Sequence, residues 1–153
     1  MKLAPMGKKS MEAILEFLEK RFGIEHSAFA GLEFMDNGKG RIFAMSRQAA
    51  IFALGNNIMS TSLPFMRLGG SPKPTSAMIQ FFGHLANTCI IELDKRKAKD
   101  FAAGFDIDVE SHGCSDGYVI LKYEGFPLGC GLLRGSGIKN MLPKAKRMAV
   151  EFL

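Results

Sequence analysis

The chain has 153 residues, of which 47% are hydrophobic, and its 20 basic and 15 acidic side chains give a formal net charge of +5. This composition predicts one ordinary domain or two small ones with a buried core, and it excludes a disordered chain. No apolar run approaches the ~20 residues of a membrane span, and the N-terminal segment MKLAPMGKKS lacks the apolar stretch of a secretory signal. Three widely spaced cysteines without a CxxC pair favour a reducing compartment, so we expect a cytoplasmic protein.

The N-terminal half alternates predicted helices and strands. Apolar residues at helical spacing predict a helix over residues 10–22 with Ser10 as its N-cap. The Asn37-Gly38 pair between AGLEFM and RIFAM predicts a hairpin. The remaining elements of this half are a short helix from Ser46 to Gly55, an extended segment over 58–68, a loop over 69–74, and a helix capped by Thr75.

The C-terminal half reads as short strands interrupted by glycine. We predict a buried strand over 89–93, a helix capped by Asp94, and two paired strands, GYVILKYEG and LGCGLLRG. The segment from Pro143 to Leu153 fits a helix or a closing strand, and periodicity does not decide between them. The composition changes near residues 86–89, which predicts a boundary between domains at 1–87 and 88–153.

The densest positive charge lies in PLGCGLLRGSGIKNMLPKAKR, residues 127–147, which contains no acidic residue. Glycines at 135 and 137 would let backbone N–H groups approach a phosphate, and Asn140 would hydrogen-bond a sugar, a base edge or its own turn. Pro143 would start a helix whose N-terminus favours anions, and Tyr118 would offer a stacking platform. A second, smaller basic loop carries Arg67 and Lys73. The pattern favours nucleic acid, and a solvated basic face is the alternative.

Other kinds of site fit the sequence poorly. A dinucleotide fingerprint beginning at Gly129 would need a third glycine where the chain has Arg134, and no phosphate-binding P-loop motif is present. His112 and Cys114 lack two further zinc ligands at sensible spacing. The alternating carboxylates of 106–110 are better explained as edge-strand charges than as cation ligands. We therefore expect no catalytic residue, no cofactor and no metal.

The segment GYVILKYEGFPLGCGLLRGSGIKNMLPKAKR resembles the C-terminal PUA-like RNA-binding domain of Fmu/Sun-type RNA cytosine-5 methyltransferases, the RsmF kind. That family ends in a strand, a Gly-x-Pro-Leu-Gly turn and then Leu-Lys-Asn-x-x-Pro-Lys. The matching residues are Gly125, Pro127, Leu128, Gly129, Lys139, Asn140, Pro143 and Lys144. Upstream, LEFLEKRFGI and LPFMRLGGSPKPTSAMIQFFG resemble the pre-PUA region found ahead of such domains.

The resemblance implies an α+β fold, with a mixed α/β pre-PUA-like domain over 1–87 and a small PUA-like β pseudo-barrel over 88–153. The chain has neither the family's S-adenosylmethionine site nor its Pro-Cys nucleophile, so the resemblance implies a non-catalytic module. Such a module would bind structured rRNA or tRNA in RNA modification or ribosome biogenesis, with an RNA methyltransferase or a ribosomal assembly factor acting in trans. The residues expected to contact RNA are Arg134, Lys139, Asn140, Lys144, Lys146, Arg147, Arg67 and Lys73.

A different class of function uses the same basic surface. Met141 and Leu142 lie beside these charges in the sequence, and interfaces between proteins favour methionine and apolar anchors. The alternative is therefore an adaptor that docks an acidic protein partner, such as an RNA-modifying enzyme, without binding RNA.

Overall fold

The computed structural model describes residues 3–56, 62–110 and 112–147, which form two five-stranded sheets with helices packed on them. The first sheet is antiparallel, with its strands in chain order. Its strands are β1 (Ala4–Pro5), β2 (Leu32–Asp36), β3 (Arg41–Ser46), β4 (Leu63–Arg67) and β5 (Lys73–Pro74). The helices of this half are α1 (Lys8–Phe22), α2 (Arg47–Asn56) and α3 (Ser76–Phe82), with 3-10 turns at His26–Phe29 and Gly83–Leu85.

The second sheet has the order β6-β8-β9-β10-β7 and curls into a half-barrel. Its strands are β6 (Ile90–Glu92), β7 (Ile107–Asp108), β8 (Gly117–Tyr123), β9 (Phe126–Arg134) and β10 (Gly137–Asn140). Strand β6 runs parallel to β8, and the other pairs are antiparallel. Helix α4 (Lys95–Ala102) covers one face, and a 3-10 turn, Lys144–Lys146, follows β10.

Local signals explain where the helices begin and end. The Thr75 hydroxyl accepts a hydrogen bond from the Met78 N–H at 3.0 Å, and the Asp94 carboxylate accepts one from the Lys97 N–H at 2.8 Å. Helix α1 ends at Gly23, which adopts the left-handed conformation with φ of 71°. It begins after Gly7 rather than at Ser10, so the predicted N-cap at Ser10 is wrong.

Strand β8 has buried residues on both faces, and its two faces belong to different cores. Val119 and Leu121 pack with Phe101 of α4 inside the half-barrel. Ile120, together with Cys130 of β9, instead joins the core that contains Phe22 and other residues of the N-terminal half. The two sheets therefore share one continuous core along the outer face of β8 and β9.

The predicted α+β class is confirmed, as are the β2–β3 hairpin, α2, α3, α4 and the paired strands β8 and β9. Two further local predictions are wrong. Residues 69–74 are not only loop, because β5 pairs with β4 there, and Pro143 starts a three-residue 3-10 turn rather than a longer helix. Residues 58–61 of the extended segment, and the chain end from residue 148, lie outside the described residues. Within the described residues no helix combines the length and apolar character needed to cross a membrane.

Candidate nucleic-acid interface

Two of the predicted basic residues lie on the outer face of the second sheet. Lys139 of β10 is paired with Leu132 of β9, and Arg134 lies two residues beyond Leu132 on the same face. Both basic side chains are exposed, and both line an open surface cavity of about 530 Å³. The structure thus brings Arg134 and Lys139 together at one edge of the sheet.

Carboxylates share this cavity with the two cations. Asp106 and Asp108, beside and within β7, also line it, because β7 pairs with β10. One oxygen of Asp106 accepts a hydrogen bond from the backbone N–H of Asn140 at 2.8 Å. Two acidic groups beside two basic ones lower the positive potential that a phosphate would meet here.

The three remaining basic residues of the segment lie in and after the Lys144–Lys146 turn, and all are exposed. The ammonium group of Lys146 donates to the side-chain oxygen of Gln80 on α3 at 3.3 Å. The Nε of Arg147 donates to the Leu142 carbonyl at 3.3 Å, and its side chain lies over Gly104, where a Cβ would come within 2.6 Å of it. The basic turn is therefore held against α3 on one side and against the end of α4 on the other.

Asn140 occupies a structural position, which differs from the expectation that it contacts a ligand. Its side chain is only 8% exposed. Its amide nitrogen donates to the Phe101 and Phe105 carbonyls at 2.7 and 2.9 Å, and its amide oxygen accepts from the Leu142 N–H at 2.9 Å. These bonds tie β10 to the end of α4 and leave Asn140 without a free donor for RNA.

The glycine turn between β9 and β10 also makes hydrogen bonds within the protein. Gly135 lies in the two-residue turn between β9 and β10 with φ of 64°, and its N–H donates to an Asp116 oxygen at 2.9 Å. Its carbonyl lies 3.0 Å from Nε2 of His112. Gly135 thus closes a hairpin, and its N–H does not point freely at a phosphate.

Arg67 and Lys73 lie on the first sheet beside a third cation, Arg41, which the sequence alone does not indicate. Register places Arg41 opposite Arg67, and Arg67 opposite Lys73. We call these three residues the basic row. They line a cavity of about 320 Å³ that Pro143 also lines, so the C-terminal segment adjoins the basic row. Arg41 had no signal in its local sequence, since only strand pairing brings it to Arg67.

Thiol and phenol groups between the two sheets are shifted toward their neutral forms. Burial raises the pKa of the Cys130 thiol to about 12, while Lys73 and Arg21 act in the opposite direction. Burial also raises the pKa of Tyr118, against the effect of Arg134. Tyr118 is half-buried and packs against the shared core. Lys73 thus lowers the pKa of a group on β9, and Arg134 lowers the pKa of a group on the neighbouring strand β8.

His112 and Cys114, which the sequence offered as zinc ligands, contact each other. Nδ1 of His112 accepts a hydrogen bond from the Cys114 N–H at 3.0 Å, so the two residues form a local turn. Burial, followed by the neighbouring Cys89 thiol, raises the pKa of Cys114. In the part of the chain that the structure describes, no three His, Cys, Asp or Glu side chains converge as metal ligands would.

Two family models match separate parts of the chain. Residues 89–148 match the family model described as the methyltransferase RsmF PUA domain. Residues 4–53 match a model described as a family of unknown function.

Comparisons with individual proteins point the same way. The ribosomal RNA small subunit methyltransferase F of Aeromonas salmonicida is 26% identical over 149 residues, which cover 92% of this chain and 29% of that protein. The protein of that name from Shewanella oneidensis is 39% identical over 62 residues, covering 39% of this chain and 13% of its own length. The chain thus spans less than a third of the curated relatives it matches.

A solved structure extends the likeness to the whole fold. A conserved PUA domain protein from Thermoplasma acidophilum superposes with a TM-score of 0.62 at 14% identity, covering 95% of this chain and 98% of that one. The chain therefore has the fold of a PUA domain protein, and the resemblance predicted from the motifs after residue 117 is confirmed: its C-terminal segment is similar to the PUA domain of RsmF-type rRNA methyltransferases.

Proposed function

We propose that this chain binds structured RNA, an rRNA or a tRNA, and serves rRNA modification or ribosome biogenesis without being the catalyst. The observation that carries the proposal is the segment 127–147, which presents five exposed cations and no acidic residue within the part that matches the RsmF PUA domain. Lysine and arginine contacts to phosphates supply most of the affinity of a protein for RNA backbone.

The proposed contacts keep Arg67 and Lys73 of the first sheet and differ from those expected from sequence in one residue, Asn140. Arg134 and Lys139 would meet phosphates on the outer face of the second sheet, and the exposed cations Lys144, Lys146 and Arg147 would extend the contact along the turn. Asn140 is left out because the backbone uses its amide. Its role in the proposal is to hold β10, and with it Lys139, in place.

An RNA methyltransferase is the partner that the proposal favours, and a ribosomal assembly factor is the second choice. The curated relatives are named as rRNA methyltransferases, and this chain spans 29% of one of them. The domain boundary between residues 87 and 88 is part of the same proposal. It separates the strands of the two sheets, although Ile120 and Cys130 connect their cores.

The adaptor alternative loses the observation that motivated it. Leu142 is 5% exposed and lies in the core of the half-barrel, and Met141 is half-buried against the shared core. Leu142 is thus not accessible to a protein partner, and Met141 presents only part of its side chain. The exposed surface of this segment is chiefly charged, which favours RNA over an apolar protein interface.

The test is fluorescence anisotropy with labelled rRNA and tRNA fragments across a salt series. We expect affinity to fall steeply with salt, and Lys139→Glu with Lys144→Glu to weaken binding at least about tenfold, because two attractive phosphate contacts become repulsive. The matched control is Lys8→Glu with Lys9→Glu, which makes the same charge change on exposed lysines of α1.

Two results would overturn the proposal: an affinity that does not depend on salt, or wild-type affinity in the Lys139→Glu, Lys144→Glu variant. A pull-down decides between RNA and protein docking. A bound protein that remains after nuclease treatment would favour the adaptor, whereas its release by nuclease supports RNA as the link.

A further inference from the structure

The basic row places three like charges on adjacent strands of the first sheet. Arg41 lies directly opposite Arg67, and Arg67 lies directly opposite Lys73. Like charges in directly opposed positions destabilise a sheet, so an anion bound between them would relieve their repulsion. Among the described residues, the ion pairs within 4.0 Å are Lys20 with Glu16 and His26 with Glu19, and none involves the basic row.

The cavity beside the basic row also has apolar walls. Its volume of about 320 Å³ lies within the range of roughly 300–1,000 Å³ that small-molecule pockets occupy. Phe43, Met66 and Pro74 are buried parts of its lining, and Pro64 and Pro143 are its exposed apolar parts. A ligand would therefore meet cations together with the apolar surfaces of two prolines.

The cavity on the second sheet and the cavity beside the basic row differ in the charges that line them. Arg134 and Lys139 share their cavity with Asp106 and Asp108, whereas the residues described around the basic row include three cations and no carboxylate. Since the potentials of opposite charges cancel at short range, the cavity beside the basic row attracts an anion more strongly. Of these two cavities, the one on the N-terminal sheet is therefore the stronger anion site.

We infer that this cavity is a nucleotide subsite, in which Arg41, Arg67 and Lys73 hold a phosphate and the apolar walls receive the attached base or sugar. The inference rests on the proposed RNA function and extends it, because it makes the first sheet part of the interface. Guanidinium groups match phosphate oxygens in geometry, and they also stack on the faces of bases. Pro143 links this subsite to the basic turn, which begins at the next residue.

The first test is an NMR titration of the full chain with adenosine 5′-monophosphate, inorganic phosphate and adenosine. We expect saturable shifts of the Arg41, Arg67 and Lys73 amide signals with the nucleotide, weaker shifts with phosphate and none with adenosine. Absence of shifts at these amides with the nucleotide would overturn the inference. So would shifts produced by an aspartate-rich peptide in place of the nucleotide, which would indicate a protein ligand.

The second test is RNA binding by the Arg41→Gln, Arg67→Gln variant. Removal of two facing like charges leaves the fold at least as stable, so the variant is expected to fold. We expect RNA affinity to fall at least about tenfold, and the slope of log affinity against log salt to decrease by about 2, one for each lost phosphate contact. The same nucleotide titration of this variant should show no saturable shift.

The outcomes separate this inference from the proposed function. If the Arg41→Gln, Arg67→Gln variant keeps wild-type RNA affinity while Lys139→Glu with Lys144→Glu loses it, the subsite is wrong and RNA binding stands. If the wild-type chain binds no RNA fragment, the proposed function fails, and the nucleotide titration alone then decides whether the cavity binds nucleotides.

Discussion

Arg21 of α1 donates a hydrogen bond from Nε to the backbone carbonyl of Tyr118 in β8, over 2.7 Å. Its terminal nitrogens donate to the hydroxyl and the carbonyl oxygens of Ser115 at 2.7 and 2.8 Å. Gly117 gives the guanidinium room, because a Cβ there would lie 3.2 Å from the Arg21 Cζ atom. One side chain thus connects the long helix of the first half to strand β8 of the second sheet.

Replacement of Arg21 by methionine keeps the aliphatic stem and removes the three hydrogen bonds. We expect the free energy of unfolding to fall by about 1–2 kcal/mol, because a bond from a charged donor contributes about 1.5–3 kcal/mol and two of these bonds are exposed. Urea denaturation followed by circular dichroism measures the loss.

Lys20→Met is the matched control for Arg21. Lys20 is the preceding residue, and its ion pair with Glu16 at 2.7 Å lies on the surface, where water screens such pairs and they contribute little to stability. Equal losses in the two variants would contradict the role of Arg21 in joining the two halves.

Asn140 provides the second prediction, which concerns stability. Asn140→Asp should lower the free energy of unfolding by about 3–5 kcal/mol, because a carboxylate would replace an amide that donates to the Phe101 and Phe105 carbonyls in a buried position. Asn140→Ala should cost less, since it leaves carbonyls unsatisfied without burying a charge. Thermal denaturation of both variants gives the comparison.

Lys139→Ala is the control, because this neighbouring side chain is exposed and such changes stay within about 0.5 kcal/mol. A different pair of results would return Asn140 to the interface. If Asn140→Ala kept wild-type stability and still lost RNA affinity, its amide would be a ligand contact rather than a support for β10.

The elements that sequence predicted correctly are those with local chemical signals. The caps at Thr75 and Asp94 need only an oxygen near the first N–H groups, and the Asn37-Gly38 hairpin needs only its turn. Strand β5 gave no such signal, since it has two residues, includes a proline and follows a glycine pair. Its pairing with β4 depends on tertiary packing.

The candidate site shows the same contrast between local signals, which a sequence carries, and tertiary pairing, which it does not. A cluster of cations that are neighbours in sequence is visible without a structure, whereas the basic row joins residues as far apart as Arg41 and Lys73 through strand register. Asn140 shows the opposite error. A polar residue in a basic segment suggested a ligand contact, while its partners, Phe101 and Phe105, lie more than 30 residues away. The apolar residues Ile138 and Leu142, two positions before and after Asn140, were the signal in the sequence that Asn140 is buried.

Gly131 provides the third prediction, on packing between strands. A Cβ at Gly131 in β9 would overlap the Ile138 methyl group in β10 and lie 3.2 Å from Leu121. Gly131→Ala should therefore lower the free energy of unfolding by about 1–3 kcal/mol through overpacking. Gly137→Ala in β10 is the control, because the nearest atoms to its Cβ would lie 3.7 Å away. Similar urea midpoints for both variants would contradict the close packing of β9 on β10.

The Cys130 thiol makes the stability of the fold depend on alkaline pH. The side chain is 1% exposed, and burial raises its pKa to about 12, whereas an unperturbed thiol has a pKa of 9.0. Above pH 9 the unfolded chain therefore loses a proton that the folded chain keeps. Stability from this group is fully present below pH 9 and is lost as the pH rises toward 12, with a slope of up to about 1.4 kcal/mol per pH unit.

Cys130→Ala isolates this effect from the titration of tyrosines and lysines, which both proteins share. We expect the wild-type free energy of unfolding to exceed that of the variant by a constant amount from pH 7 to 8.5, because the alanine leaves a small cavity. The difference should then shrink as the pH rises from 9 to 10.5, since only the wild type has the buried thiol. Urea denaturation at each pH measures it. A difference that stayed constant to pH 10.5 would show that the folded and unfolded thiols ionise alike, and that the Cys130 site admits water.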